Sequence, residues 1–271
     1  MTDLSDATHG SSGSSFTILT YNVRVDVTRD AAETWALRRD DVINVIDFYN
    51  PDILCVQEAL RNQMADIARL SQYDYTGFGR DDGHSDGEYA GIFYRSDRYT
   101  LQDSNRFWLS PTPDEPSFGW RSRHRRMASW AKLTDNVSGK PFLVLCTHLD
   151  HEYEEARVNG AAVLLERIAA LSDGSPVILT GDFNETPEGP SIQRILAEFR
   201  DSRTVSTLPA IGPDGTFNDF DVKNVAPDDR IDYIFVKGDV TVKKQANIVT
   251  ITPDGRLPSD HFPAMAELVI G

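Results

Sequence analysis

Cysteine is nearly absent: the 271-residue chain carries only Cys55 and Cys146. Both lie in apolar runs, Ile53-Leu-Cys-Val56 and Leu143-Val-Leu-Cys146, so no disulfide framework is implied and two buried free thiols are expected. No apolar run approaches the roughly 20 residues that a membrane-spanning helix needs. No basic segment followed by an apolar stretch opens the chain, so no secretory leader is read there. A cytoplasmic protein without a membrane segment is the expectation. Positive charge is also scarce, 27 Lys and Arg against 42 Asp and Glu, a formal net charge of −15. Such a field repels polyanions at long range and argues against non-specific nucleic-acid binding unless a local cationic patch or bound divalent ions offset it. No repeat and no internal linker is visible. Residues 1–15 are Ser, Asp, Thr and Gly with almost nothing to bury and read as a disordered tail. One domain over residues 16–271, acting as a monomer, is expected.

The remainder alternates between strand-like and helix-like segments. The organising stretch is Val177-Ile-Leu-Thr-Gly-Asp-Phe-Asn184, an apolar run that stops at Gly181. If the chain stays extended there, Asp182 and Asn184 point to the same face. Strands are also expected over 16–21, 52–58, 73–78, 88–94, 127–133, 141–147, 230–236, 240–250 and 264–270, with one or two short ones within 99–109. Helices are expected over 33–49, 60–70, 150–171 and near 189–199. Gly79 to Gly87 reads as a polar, mobile loop, and 201–230 as loop-rich. The irregular stretch 111–126 holds the one basic cluster, Arg121, Arg123, His124, Arg125 and Arg126.

Polar residues without a packing reason recur at these strand ends: Asn22, Glu58, Glu88, His148, Asp182, Asn184, Asp232, Asp260 and His261. In an α/β architecture, strand ends converge on one rim, where sites form. Carboxylates gathered there repel one another unless a cation joins them. Hard oxygen donors suit Mg²⁺ or Mn²⁺ better than zinc, and the histidines suit phosphate stabilisation or acid/base work.

In chain order, Thr20-Tyr-Asn22, Gln57-Glu58, Thr147-His148, Gly181-Asp-Phe-Asn184, Ile231-Asp-Tyr233 and Ser259-Asp-His261 resemble the motifs of the endonuclease/exonuclease/phosphatase superfamily of metal-dependent phosphoesterases. The resemblance implies a four-layer αββα sandwich of two packed mixed β-sheets flanked by helices. It implies Glu58 as principal metal ligand, with Asn22 and Asp260 completing the metal or water shell. Asp182 would deprotonate the attacking water with help from Asn184. His261, oriented by Asp232, would contact the scissile phosphate. His148, paired with Glu88, would contact the opposite phosphate oxygens, and Arg126 falls where the family often places a phosphate-contacting arginine. The family leaves the substrate open; the basic cluster at 121–126 in an otherwise acidic chain suits a phosphorylated small molecule or short nucleic acid, such as a nucleotide, sugar phosphate or short oligonucleotide.

Two alternatives stand beside this reading. Cys146-Thr-His-Leu-Asp-His151 contains an H-x-D-H pattern that resembles the zinc motif of the metallo-β-lactamase group. That would make His148, Asp150 and His151 zinc ligands of a different hydrolase. The other alternative is a binding scaffold of the same fold without catalysis.

Overall fold

The computed structural model describes residues 14–27, 33–226 and 229–271. In order these form β1 (Ser15–Asn22), α1 (Trp35–Tyr49), β2 (Ile53–Ala59), α2 (Arg61–Ile67), β3 (Tyr73–Thr76), β4 (Tyr89–Arg95), β5 (Tyr99–Trp108), β6 (Met127–Asp135) and β7 (Pro141–His148). Then come α3 (Glu154–Leu171), β8 (Val177–Asp182), α4 (Pro190–Leu196), β9 (Arg200–Asp201), α5 (Ser202–Val205), β10 (Asp232–Lys237), β11 (Val240–Asn247) and β12 (Ala264–Ile270).

The strands make two six-stranded sheets, ordered β11-β12-β1-β2-β4-β3 and β5-β6-β7-β8-β10-β9. Each sheet has one parallel pair at its centre, β1/β2 in the first and β7/β8 in the second. Every other pairing is antiparallel. The C-terminal ends of β1 and β2 thus share an edge with the start of β12. The ends of β7 and β8 share one with the start of β10.

Face alternation along the central strands decides the layering. Ile18, Ile53, Cys55, Val144, Cys146 and Ile178 enter the core between the sheets. Leu19, Tyr21, Leu54 and Val56 turn outward against Val42 and Ile46 of α1 and Met64 and Ile67 of α2. Leu143, Leu145, Val177 and Leu179 turn outward against Leu164 and Ile168 of α3 and Ile192 and Ile195 of α4. Strands buried on both faces read as unbroken apolar runs, which is why they stood out in the sequence. Neither α1 nor α3 has a side-chain N-cap bond, so packing onto the sheets holds these helices. The architecture is the four-layer sandwich anticipated above, and Cys55 and Cys146 are free and buried.

Several local expectations are corrected. The stretch 99–109 is one ten-residue strand, β5, with a register shift between Leu101 and Asp103. It lies at a sheet edge and is buried only at Tyr99, Phe107 and Trp108, so few apolar residues announced it. Helix α3 starts at Glu154 because the Asp150 carboxylate accepts the N–H groups of Glu152 and Tyr153 (3.0 and 2.7 Å), making a turn first. The loop 79–87 is closed on itself: Asp82 accepts three backbone N–H groups, from His84, Ser85 and Asp86, and Asp81 N–H reaches Asp86 O at 3.0 Å. Most of the expected 1–15 tail lies outside the described residues, and Ser15 already belongs to β1. Among the described residues, no helix is long and apolar enough to cross a membrane.

Candidate active site

Strand register brings the polar residues together. His148 at the end of β7 pairs with Asp182 at the end of β8, and Asp182 pairs with Asp232 at the start of β10. Asn22 closes β1 opposite Gln57 of β2. Glu58 follows within a register shift between Val56 and Ala59 and has φ +66°. A bulge of this kind re-aims a side chain, and left-handed backbone at a non-glycine residue is a cost accepted at functional sites.

Asp182 is the hub. Its Oδ2 accepts the Asn22 amide at 2.9 Å and stands 3.4 Å from His148 Nε2 and 3.8 Å from His261 Nε2. Its Oδ1 accepts the Asn184 N–H at 2.9 Å. The Asn22 amide also donates to Glu58 Oε1 at 3.0 Å, and Glu58 Oε2 accepts Val25 N–H at 2.9 Å. His261 Nδ1 meets Asp232 Oδ2 at 2.8 Å. Asp260 lies 3.4 Å from Arg24 Nη1. Glu58, Glu88, Arg126, His148, Asp182, Asn184, Asp260 and His261 all line one cleft of about 1110 Å³.

Burial divides the titrating groups. Burial and then the nearby Asp232 charge push the Asp182 carboxyl up to about 7. Burial alone would also raise Glu58, but hydrogen bonds from Asn22 and Val25 and the His261 charge bring it below its usual value. Burial opposes charge on His261, yet Asp232, by charge and hydrogen bond, raises it to about 10. Burial followed by Arg126 and Arg80 holds His148 well below its ordinary value. Glu58 and Asp182 are thus shifted in opposite directions, as are His148 and His261, a division suited to acid/base chemistry.

The donor set fits a divalent ion. Ligand atoms of Glu58, His148 and Asp182 lie within 4.8 Å of one another, as do those of Asp182, Asp232 and His261. Asp232 Oδ1 is buried with no hydrogen-bond partner, a carboxylate oxygen that lacks the cation or donor its burial calls for.

Residues 19–261 match the model of the endonuclease/exonuclease/phosphatase family. The chain belongs to that family. Its members are hydrolases, nucleases and phosphatases among them. A structure described as an endonuclease/exonuclease/phosphatase from Bacteroides vulgatus is 37% identical, with a TM-score of 0.89 over 95% of this chain and all of that one. The mannosyl-6-phosphatase of Bacteroides thetaiotaomicron is 34% identical, with a TM-score of 0.88 over 94% of this chain and 99% of that one. The Ccr4 exoribonuclease subunit of the Ccr4-Not complex of Aspergillus oryzae is 23% identical over 98% of this chain but 48% of its own length. The chain spans about half the length of the curated relatives it matches, 59% and 48% for the first two.

Within this cleft, the structure corrects three sequence expectations. Asn22 turns its amide nitrogen toward Glu58 and Asp182, while its oxygen accepts the Arg24 N–H at 3.0 Å. A carboxamide ligates metal through oxygen, and here the nitrogen end of Asn22, not the oxygen, faces the two carboxylates. Glu88 does not pair with His148: it binds Arg80 Nη1 at 2.5 Å, and His148 Nδ1 is buried without a partner. Asn184 does not share an extended face with Asp182, because β8 ends at Asp182 and Asn184 has φ +49°. Its amide instead reaches His148 Nε2 at 2.9 Å and Leu149 O at 3.1 Å. The Leu149 bond fixes which end of the amide is the donor. His148 Nε2 therefore accepts, and the ring proton sits on Nδ1.

The zinc reading loses its ligands as well. The Asp150 carboxylate is taken by the Ser122 hydroxyl at 2.5 Å and two backbone N–H groups. His151 Nδ1 meets Arg126 Nη2 at 2.7 Å. Among the described residues, neither joins a potential metal cluster.

In the basic stretch, Arg123 pairs with Glu152, and Arg121 and Arg125 lie over Tyr153 and Phe118. Arg126 and His124 line the cleft. Sequence reasoning missed Arg24, Arg80 and Arg157, which also line it. Arg80 could have been suspected only as the cation flanked by Gly79 and Asp81, and nothing in the spacing marked the other two.

Proposed function

We propose that this chain is a divalent-metal-dependent phosphoesterase that hydrolyses a P–O ester of a compact phosphorylated ligand by in-line attack of water. The observation that carries this is Asp182: a buried carboxylate near neutrality, within 4 Å of the side chains of Asn22, His148 and His261. A base poised near the working pH is what proton abstraction from water needs.

Glu58 would hold Mg²⁺ or Mn²⁺, with Asp260 lining the same cleft; when bound, the ion would neutralise charge on the phosphoryl oxygens and stabilise the leaving oxygen. Asp182 takes the proton of the attacking water as the new O–P bond forms and the ester O–P bond breaks. Asn22 and Asn184 keep Asp182 oriented through its two oxygens. His261, held charged by Asp232, donates to a non-bridging oxygen where negative charge builds. His148, neutral, faces the same group from the second sheet.

The chemistry of the related mannosyl-6-phosphatase and the acidity of the chain both support a small phosphorylated metabolite, nucleotide or short oligonucleotide over long duplex DNA. The test is a hydrolysis screen over p-nitrophenyl phosphate, bis-p-nitrophenyl phosphate, sugar phosphates, single-stranded DNA, RNA and duplex DNA with Mg²⁺ and Mn²⁺. Metal-dependent turnover of small esters is expected. Absence of turnover on every ester, or a preference for long duplex DNA, overturns the reading.

A further inference from the structure

One wall of the cleft is cationic in a chain of formal charge −15. Arg126, only 5% exposed, uses Nη2 on His151, but its Nε and Nη1 are buried with no hydrogen-bond partner. The Asp150 carboxylate is 3.9 Å from its Nε, an ion pair beyond hydrogen-bond distance, and accepts the Ser122 hydroxyl and two backbone N–H groups. Arg80 uses Nη1 on Glu88, and its Nε is likewise buried and unpartnered. His148 Nδ1, which carries the ring proton, is a further unpartnered donor on this wall. Burial, then the charge of Arg80, holds the Arg126 guanidinium below its ordinary pKa against the opposing charges of Glu88, Asp150 and Asp182. Buried cations and donors of this kind need an anion or acceptors.

Arg80 is not a loose surface charge. Its N–H donates to Glu88 O at 3.1 Å, and its carbonyl accepts the buried Trp108 indole N–H at 2.8 Å. The closed 79–87 loop fixes where the guanidinium enters the cleft.

A phosphodiester offers two non-bridging oxygens sharing one negative charge. In the phosphoesterase reading, His261 and a bound divalent ion would serve those oxygens. A phosphomonoester brings a third terminal oxygen and close to a second charge, since its second pKa is about 6. We infer that Arg80 and Arg126 clamp the additional terminal oxygen of a phosphomonoester dianion, so that the cleft selects monoesters over diesters. This rests on the phosphoesterase reading and names its substrate class. The charge selection and the role of Arg80 are not part of the family resemblance.

The experiment compares kcat/KM for p-nitrophenyl phosphate and bis-p-nitrophenyl phosphate in the wild type, Arg80→Gln and Arg80→Lys. Orthophosphate affinity is measured by calorimetry on the same proteins, with circular dichroism confirming their fold. The wild type should prefer the monoester, and Arg80→Gln should lower the monoester-to-diester ratio by about tenfold or more, the scale of a lost charge-assisted hydrogen bond. Orthophosphate binding should weaken in parallel, and Arg80→Lys should recover part of both. A wild-type preference for the diester, an equal fall on both esters, or unchanged orthophosphate affinity in Arg80→Gln overturns the clamp. If neither ester is turned over, the hydrolase reading is decided by the full ester screen, and the orthophosphate comparison alone decides the clamp: unchanged affinity in Arg80→Gln overturns it.

Discussion

His261 Nδ1 and Asp232 Oδ2 stand 2.8 Å apart with both side chains buried. Burial alone would strip the proton from the imidazole; the Asp232 charge and hydrogen bond restore it and carry the His261 pKa from 6.5 to about 10. In metal-free protein, Asp232→Asn should lower that pKa by at least about one unit, read by NMR titration of the ring. The linkage has a definite sign. A pKa raised on folding contributes stability that is complete below about 6.5 and is lost as pH climbs through about 10. Wild-type stability should therefore fall more than that of Asp232→Asn between these pH values, followed by urea unfolding. Equal slopes would contradict the assignment.

Asp182 works in the opposite sense. Burial, then Asp232, lifts its pKa from 3.8 to about 7, so its ionised form is disfavoured by the fold and weighs against stability above pH 7 in metal-free protein. Asp182→Asn should raise the metal-free Tm at pH 8 and change it less at pH 4. The same substitution should cut turnover by about 10²–10⁴-fold, the usual worth of a general base. A variant that is both stable and fully active would remove Asp182 from the mechanism.

Gly181 is required by its backbone. Its φ is +148°, and a Cβ there would sit 2.0 Å from Thr147 O on the parallel neighbour. Gly181→Ala should cost at least about 2 kcal/mol through strain and a broken β7/β8 contact, measured by chemical denaturation. It should also displace Asp182 and His148 and lower activity beyond the stability loss.

Arg38 of α1 is fully buried and donates to the carbonyls of Val23, Arg24, Glu33 and Pro258. It ties the chain leaving Asn22 to the chain approaching Asp260. Arg38→Met should destabilise by about 3 kcal/mol or more, because it leaves buried carbonyls without donors. A change under about 1 kcal/mol in urea unfolding would mean these bonds carry little.

The sheet layers were legible because their strands are buried on both faces and written as continuous apolar runs, Leu143 to Cys146 among them. Strand β12 was legible by alternation, its burial switching at each residue from Ala264 to Ile270. Glu58, Asp182, Asp232 and His261 were legible because polar side chains at the ends of such strands have no packing role. What escaped the sequence was orientation and partnership. Asn22 looked like a ligand, but which end of a carboxamide faces the site depends on the Arg24 N–H. Asn184 kept its place in the site through a left-handed turn, not through strand parity. Glu88 went to Arg80 because the loop between them folds back on itself, and loop closure leaves no periodic trace.

In the proposed function, Glu58 and its neighbours at the shared sheet edge form a divalent-metal hydrolytic centre. The most direct test measures Mn²⁺ binding by calorimetry and ester hydrolysis before and after metal chelation, in the wild type and a folded Glu58→Gln variant. Saturable binding and metal-restored turnover are expected in the wild type, with both weakened by about 10-fold or more in the variant. Unchanged Mn²⁺ affinity in Glu58→Gln, or wild-type hydrolysis that survives complete chelation, would contradict it.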